Sequence, residues 1–184
     1  MNITECPIEG VKIIEPDVHE DERGFFYESY HKEKYKELIN IDGIFVQDNH
    51  SKSFYGVLRG LHFQKNQAQG KLIRVIQGDV YDFFVDIRRE SPTFGESFGI
   101  EINEKNKLQV WLPPGLAHGF ITLSKFAEFE YKCTNFYDPD DEYCLIWTDS
   151  KVNIELPIPR EDIIVSRKDL NGFTFDELIA RNII

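Results

Sequence analysis

The chain has 184 residues, 41% of them hydrophobic and 14% aromatic, which is enough for one substantial core and short for two. Its 21 basic and 32 acidic residues leave a formal charge of -11, a field that excludes a nucleic-acid backbone or an anionic membrane as a partner. A small anionic ligand remains compatible only through a local cluster of Arg and Lys working against that field.

In chain order, Met1 to Pro7 lacks the basic start and apolar stretch of a secretory signal, and no apolar run approaches membrane-spanning length, so the expected compartment is the cytoplasm. Cys6, Cys133 and Cys144 are odd in number and free of metal-type spacing, so they are expected to be reduced thiols, with no metal site and no disulfide framework. Asp21-Glu22-Arg23-Gly24 reads as a turn, and His31 to Asn40 has helical composition. Phe45 to Ser51 and Lys71 to Gln77 are candidate strands, the second closed by the Gln77-Gly78-Asp79 turn. In Asp79 to Arg88, Tyr81, Phe83, Val85 and Ile87 fall on one side and Asp82, Asp86 and Arg88 on the other. Leu108 to Leu112 and Gly119 to Leu123 flank the Pro113-Pro114-Gly115 turn. The clearest period-two run is Ala127 to Cys133, where Phe129, Tyr131 and Cys133 share a face, so Tyr131 is expected to point inward. A turn at Tyr137 to Asp141 and a short helix over Asp176 to Arg181 complete the list. The spacing predicts an all-β chain, a jelly roll or small barrel of antiparallel strands, forming one domain over residues 1–184 with a short helical segment at its end.

Polar residues expected to face such an interior are the candidates for chemistry. Gln47 and Asn49 share the face of Phe45, Arg59 and His62 bracket Gly60, Lys71 opens a strand, and His118 follows the Pro-Pro-Gly turn. Each has a bland alternative: an interior histidine is more often a hydrogen-bonded core residue than a base, and a buried tyrosine more often only anchors packing. Lys71 and Arg59 read equally as snorkelling strand residues, Arg23-Gly24 as a turn, and Asp169 as a solvated carboxylate. Arg59 and His62, three apart, fall on opposite faces of a regular strand. A bulge at Gly60 is required for both to reach one pocket.

Taken together, the motifs Asp21-Glu22-Arg23-Gly24-Phe25-Phe26, Phe45-Val46-Gln47-Asp48-Asn49, Arg59-Gly60-Leu61-His62-Phe63-Gln64 and Gly70-Lys71-Leu72 recur in a known order. They continue with Val85-Asp86-Ile87-Arg88, Ser91-Pro92-Thr93-Phe94-Gly95, Pro114-Gly115-Leu116-Ala117-His118-Gly119-Phe120 and Tyr131-Lys132-Cys133-Thr134. Over nearly its whole length the chain resembles the dTDP-4-dehydrorhamnose 3,5-epimerase family. The resemblance implies a cupin-type jelly roll, no cofactor, a homodimer, and a dTDP-linked 4-keto-6-deoxyhexose as substrate. It further implies that His62 is the general base, oriented by Asp169, that Tyr131 is the acid on the opposite sugar face, and that Lys71 stabilises the enolate. Arg23, Glu28, Gln47, Asn49, Arg59, His118, Glu142 and Lys168 match positions that hold the nucleotide sugar, and Phe26 and Tyr137 match aromatic positions that stack on it. Leu116 and Leu156 depart from the family's usual Phe and Trp, and both read as packing changes.

The residue types suit the reaction. Removing a proton alpha to a ketone requires stabilisation of the enolate oxygen, and inversion requires the proton to return from the other face. Three rivals stand beside this reading: an enzyme inverting C3 alone, a silent nucleotide-sugar binding protein, and a metal cupin. The last lacks support, because no second histidine lies two residues from His62 and His118 alone does not complete a metal site.

Overall fold

The structure, a computed structural model, describes residues 1–39 and 45–184. Strands β1 (Asn2–Glu5) and β2 (Lys12–Glu15) form an antiparallel pair, and β3 (His19–Asp21) and β4 (Gly24–Phe26) form a separate hairpin at the expected Asp21–Gly24 turn. The helix expected over 31–40 is α1 (Lys32–Ile39), and Asn40 lies outside the described residues. The central run is β5 (Gln47–Phe54), β6 (Val57–Gln64), β7 (Lys71–Gln77), β8 (Asp79–Asp86), β9 (Ser97–Asn103), β10 (Gln109–Leu112), β11 (Leu116–Thr122) and β12 (Phe126–Cys133). Short elements end the chain: β13 (Glu142–Cys144), β14 (Ile164–Val165), α2 (Arg167–Leu170) and α3 (Phe175–Ala180).

Two sheets result, ordered β1-β2-β10-β7-β12-β5 and β13-β6-β11-β8-β9, with β14 added parallel to β6 and the other neighbours antiparallel. This is the expected jelly roll. Their facing sides share one core: Ile73, Val75, Val110 and Phe129 of the first sheet pack with Val80, Phe84, Ile102 and Phe120 of the second. The outer face of the second sheet is also buried, because Leu58, Leu61, Phe83, Val85 and Ile121 pack under Leu145, Val152, Phe175 and Leu178 of the closing segment. On the first sheet, α1 covers Ile14, Leu72 and Trp111 with Tyr35 and Ile39.

Burial on both faces explains where alternation misleads. In β8 the charged side is not a solvent face: Asp82 and Asp86 are fully buried and point to the inter-sheet side with Val80 and Phe84, while Phe83 and Val85 point to the closing segment. Asp86 also ends that strand two residues before the expected Arg88. Its carboxylate accepts the Arg88 backbone N–H (3.0 Å), the Arg88 guanidinium (2.8 and 2.7 Å) and the hydroxyls of Ser91 (2.5 Å) and Thr93 (2.7 Å). Two motifs that carry the family resemblance are thus one structural knot. Leu116 lies in the inter-sheet core and Leu156 packs against the cluster under the closing segment, so both departures fall at packing positions.

Candidate active site

Between the sheets lies a cavity of about 310 Å³, lined from the first sheet by Gln47, Asn49, Ser51, Lys71 and Tyr131 and from the second by Arg59, His62, Gln64, His118 and Glu142. Tyr137 and Gln69, in loops, complete its rim. The size falls at the small end of ligand sites. A depression of about 380 Å³ beside the β3–β4 hairpin is larger, but of the expected site residues it gathers only Phe26 and Glu28, beside Met1, Asp17, His19, Lys34 and Glu37. The convergent polar set marks the inter-sheet cavity as the candidate site.

Gly60 makes that convergence possible. On β11, His118 lies opposite His62 and Phe120 opposite Arg59, so β6 carries one extra residue and bulges there. Gly60 has φ +117°, and a Cβ on it would stand 2.6 Å from both the Gly119 Cα and the His118 carbonyl oxygen. Only glycine fits that approach. Arg59 and His62 both line the cavity, as the bulge was expected to allow.

His62 Nε2 lies 2.7 Å from Asp169 Oδ1, and the other carboxylate oxygen accepts the Gly60 backbone N–H at 3.3 Å. One carboxylate therefore holds both the ring and the bulge. Asp169 is buried on α2, whose N-cap Ser166 accepts the Asp169 N–H through its hydroxyl at 3.1 Å, so it is not the solvated residue of the bland reading. Burial pushes its carboxyl up, but the His62 hydrogen bond and charge with the Gly60 N–H outweigh that and hold it below the usual aspartate value. An ionised Asp169 places the ring proton on Nε2 and leaves Nδ1 as the basic atom.

On the facing sheet, burial pushes the Tyr131 hydroxyl up to about 12, with Cys133 and Glu142 adding to the effect. It stays protonated at neutral pH. Lys71 is buried, its Nζ 5.9 Å from the centre of the Tyr131 ring; desolvation pulls its pKa below the ordinary lysine value, opposed by Cys133, Glu142 and Asp82. His118 Nε2 lies 2.7 Å from Asp82 Oδ1, yet burial holds the imidazole below its ordinary value, against the pull of that carboxylate. Gln47 donates to Asn49 (3.0 Å) and accepts the Tyr137 N–H (2.8 Å). Arg59 donates to Ser53 (3.0 Å), Tyr137 donates to Glu142 (3.2 Å), and Lys168 pairs with the same Glu142 carboxylate.

Of the expected residues, His62, Tyr131, Lys71, Gln47, Asn49, Arg59, His118, Tyr137 and Glu142 line the cavity, while Asp169 and Lys168 back its wall and rim. Arg23, Phe26 and Glu28 do not join them. Arg23 and Phe26 stand on the exposed hairpin, Phe26 with 69% of its surface open, and Glu28 pairs with Lys34 of α1. Residue-level reading missed Ser51, Gln64 and Asp82. Continuing the alternation from Asn49 and from His62 finds the first two, whereas Asp82 was visible only as a charge on β8.

The family model for dTDP-4-dehydrorhamnose 3,5-epimerase matches residues 5–177. The chain belongs to that family. It is 53% identical over 158 residues to the epimerase of Salmonella typhimurium strain LT2, spanning 85% of this chain and 86% of that one. A crystal structure of dTDP-6-deoxy-D-glucose-3,5-epimerase from Legionella pneumophila, in complex with dTDP-4-keto-L-rhamnose, superposes with a TM-score of 0.95 at 46% identity and covers 100% of this chain and 96% of that one. A 3'-monoepimerase from Streptomyces bikiniensis in complex with dTDP-quinovose also shares the fold, with a TM-score of 0.90, 29% identity, and coverage of 97% and 90%. The chain is an isomerase of the 3,5-epimerase family with the cupin-type jelly roll that its motifs imply.

Proposed function

We propose that this epimerase inverts C3 and C5 of dTDP-4-dehydro-6-deoxy-D-glucose, in dTDP-L-rhamnose synthesis, with His62 as base and Tyr131 as acid. The observation that carries this reading is that His62 and Tyr131 enter one cavity from opposite sheets. His62 Nδ1 takes the proton alpha to the C4 ketone, and the electron pair moves onto the C4 oxygen, where the Lys71 ammonium offsets the developing charge. The Tyr131 hydroxyl returns a proton to the other face. Exchange with solvent then removes the proton from His62 and restores that of Tyr131. Asp169 orients the base; Gln47, Asn49, Arg59, His118, Tyr137, Glu142 and Lys168 position the nucleotide sugar. No step calls on a metal or cofactor.

In the same reading the protein is a homodimer in which Arg23, Phe26 and Glu28 of one copy serve the cavity of the other. Their exposure on and beside a hairpin separate from the chain's own cavity supports this. A sedimenting monomer with full activity would remove it. The described residues contain no helix long and apolar enough to cross a membrane, and a cytoplasmic setting suits a charged substrate that crosses no bilayer.

The deciding experiment incubates the protein with dTDP-4-keto-6-deoxy-D-glucose in D₂O. Deuterium is expected at C3 and C5 with the L-rhamno product. Exchange at neither carbon sinks the reading, and exchange at C3 alone identifies a monoepimerase.

A further inference from the structure

Cys144 is an ionisable group beside the His62–Asp169 pair for which the reaction has no use. It does not line the cavity. It sits on β13 directly opposite His62 on β6, so the two side chains share a face of the sheet, and α2 brings Asp169 against both. One donor atom each from His62, Cys144 and Asp169 lies within 4.8 Å of the other two. We propose that these three side chains form a binding site for a thiophilic divalent cation of the zinc class, whose occupancy switches the epimerase off.

The donor set argues for that class of ion. A thiolate, an imidazole and a carboxylate suit zinc, which is four-coordinate at such sites, whereas magnesium prefers oxygen ligands alone. With ligand distances of roughly 2.0 to 2.3 Å, donor atoms around a tetrahedral zinc lie roughly 3.3 to 3.8 Å apart. Seating the ion therefore means opening the 2.7 Å His62–Asp169 contact by roughly half an ångström and drawing the sulfur in by at most about an ångström. The ion would sit on the Nε2 side of the ring, between His62 and the buried Asp169 and Cys144, and its way in is past the His62 side chain, which is 29% exposed.

The bland alternative is that Cys144 is a small buried hydrophobe, its thiol pointing to the carbonyls of Leu145 (3.7 Å) and Asp169 (3.8 Å). The geometry favours the cation, because an imidazole nitrogen and a carboxylate oxygen both lie within 4.8 Å of the sulfur. Binding forms the metal–sulfur and metal–Nε2 bonds, releases the thiol proton to solvent and leaves the ring proton on Nδ1 in place of Nε2, so it tightens as pH rises. Occupancy engages Nε2 of His62 and a carboxylate oxygen of Asp169, and the base loses the contact that orients it.

This inference rests on His62 as the base, and its test has a readout independent of activity. Cobalt(II) added to the full-length protein is expected to give a thiolate-to-metal charge-transfer band in the near ultraviolet, absent in Cys144→Ala and in Cys144→Ser. One equivalent of zinc is expected to suppress turnover in a manner reversed by EDTA, with the sensitivity of either variant lower by at least roughly tenfold, the least that losing even an outer partner costs at such sites. Magnesium is expected to leave all three proteins unaffected. A missing cobalt band, a band that persists without Cys144, or equal zinc sensitivity overturns the site. A band without inhibition overturns only the switch and points to a different base.

Discussion

Two histidine–carboxylate pairs face the same cavity with the same Nε2–Oδ1 distance of 2.7 Å, in opposite surroundings. In His62–Asp169 the ring side chain is 29% exposed and the carboxylate comes from α2, outside the sheet, where it also accepts the Gly60 N–H. In His118–Asp82 both partners sit on neighbouring strands of one sheet, the ring is 7% exposed and the carboxylate 0%, and Asp82 Oδ2 has no hydrogen-bond partner among the described residues. The first ring is partly open to water. Burial holds the second below the ordinary imidazole value. The proposed base is therefore set apart from its neighbour by access to water and by the second oxygen's partner, and not by distance.

Replacing each ring in turn puts the largest strain on that contrast. His62→Ala is expected to lower deuterium exchange at both C3 and C5 by roughly 10²- to 10⁴-fold, the range that a positioned base supplies. His118→Ala is expected to weaken substrate binding and leave exchange in the bound complex within about tenfold of the parent, since it removes positioning and no proton acceptor. Saturating-substrate exchange followed by NMR separates the two. Equal losses would mean that the buried pair is the base.

Tyr131→Phe sharpens the assignment of faces. The ring still fills its place beside Lys71, so proton removal by His62 is expected to persist while inversion falls by roughly 10²- to 10⁴-fold. Exchange without inversion in D₂O is the signature. Full inversion in this variant would assign the acid elsewhere.

The sequence made much of this geometry legible and hid a definable remainder. Lys71 to Gln77 is a strand with the expected bounds, and Tyr131 faces inward as its alternation requires, because β12 has one polar face and period two reports burial directly. The bulge at Gly60 was legible as a need: Arg59 and His62 converge only if the strand kinks, and glycine is the residue that permits it. The same alternation failed on β8, where both faces are buried and Asp82 and Asp86 lie inside. No periodicity distinguishes a buried carboxylate with a partner on the next strand from a solvated one. Asp169 was hidden for a related reason, since its role depends on α2 folding back on β6, a contact spanning 107 residues to His62. Arg23, Phe26 and Glu28 came from resemblance alone, and a single chain does not bring them to the cavity.

The smallest effect concerns Asp82, and it separates the two carboxylates by pH. Lys71 carries its charge below its pKa, so activity that depends on the ammonium is present at lower pH and is lost as pH rises through that value. Burial already lowers that value, and the Asp82 charge opposes the lowering. Tyr131, raised to about 12, does not set the alkaline limb. Asp82→Asn keeps an amide to hydrogen-bond His118 but removes the charge, so the alkaline limb of kcat is expected to move to lower pH. Asp169→Asn is expected instead to lower kcat across the whole range and leave that limb in place, because it disturbs the base and not the lysine. A pH–rate profile on both variants decides the matter: a shifted limb in Asp169→Asn, or none in Asp82→Asn, would show that the buried pair does not serve Lys71 electrostatically.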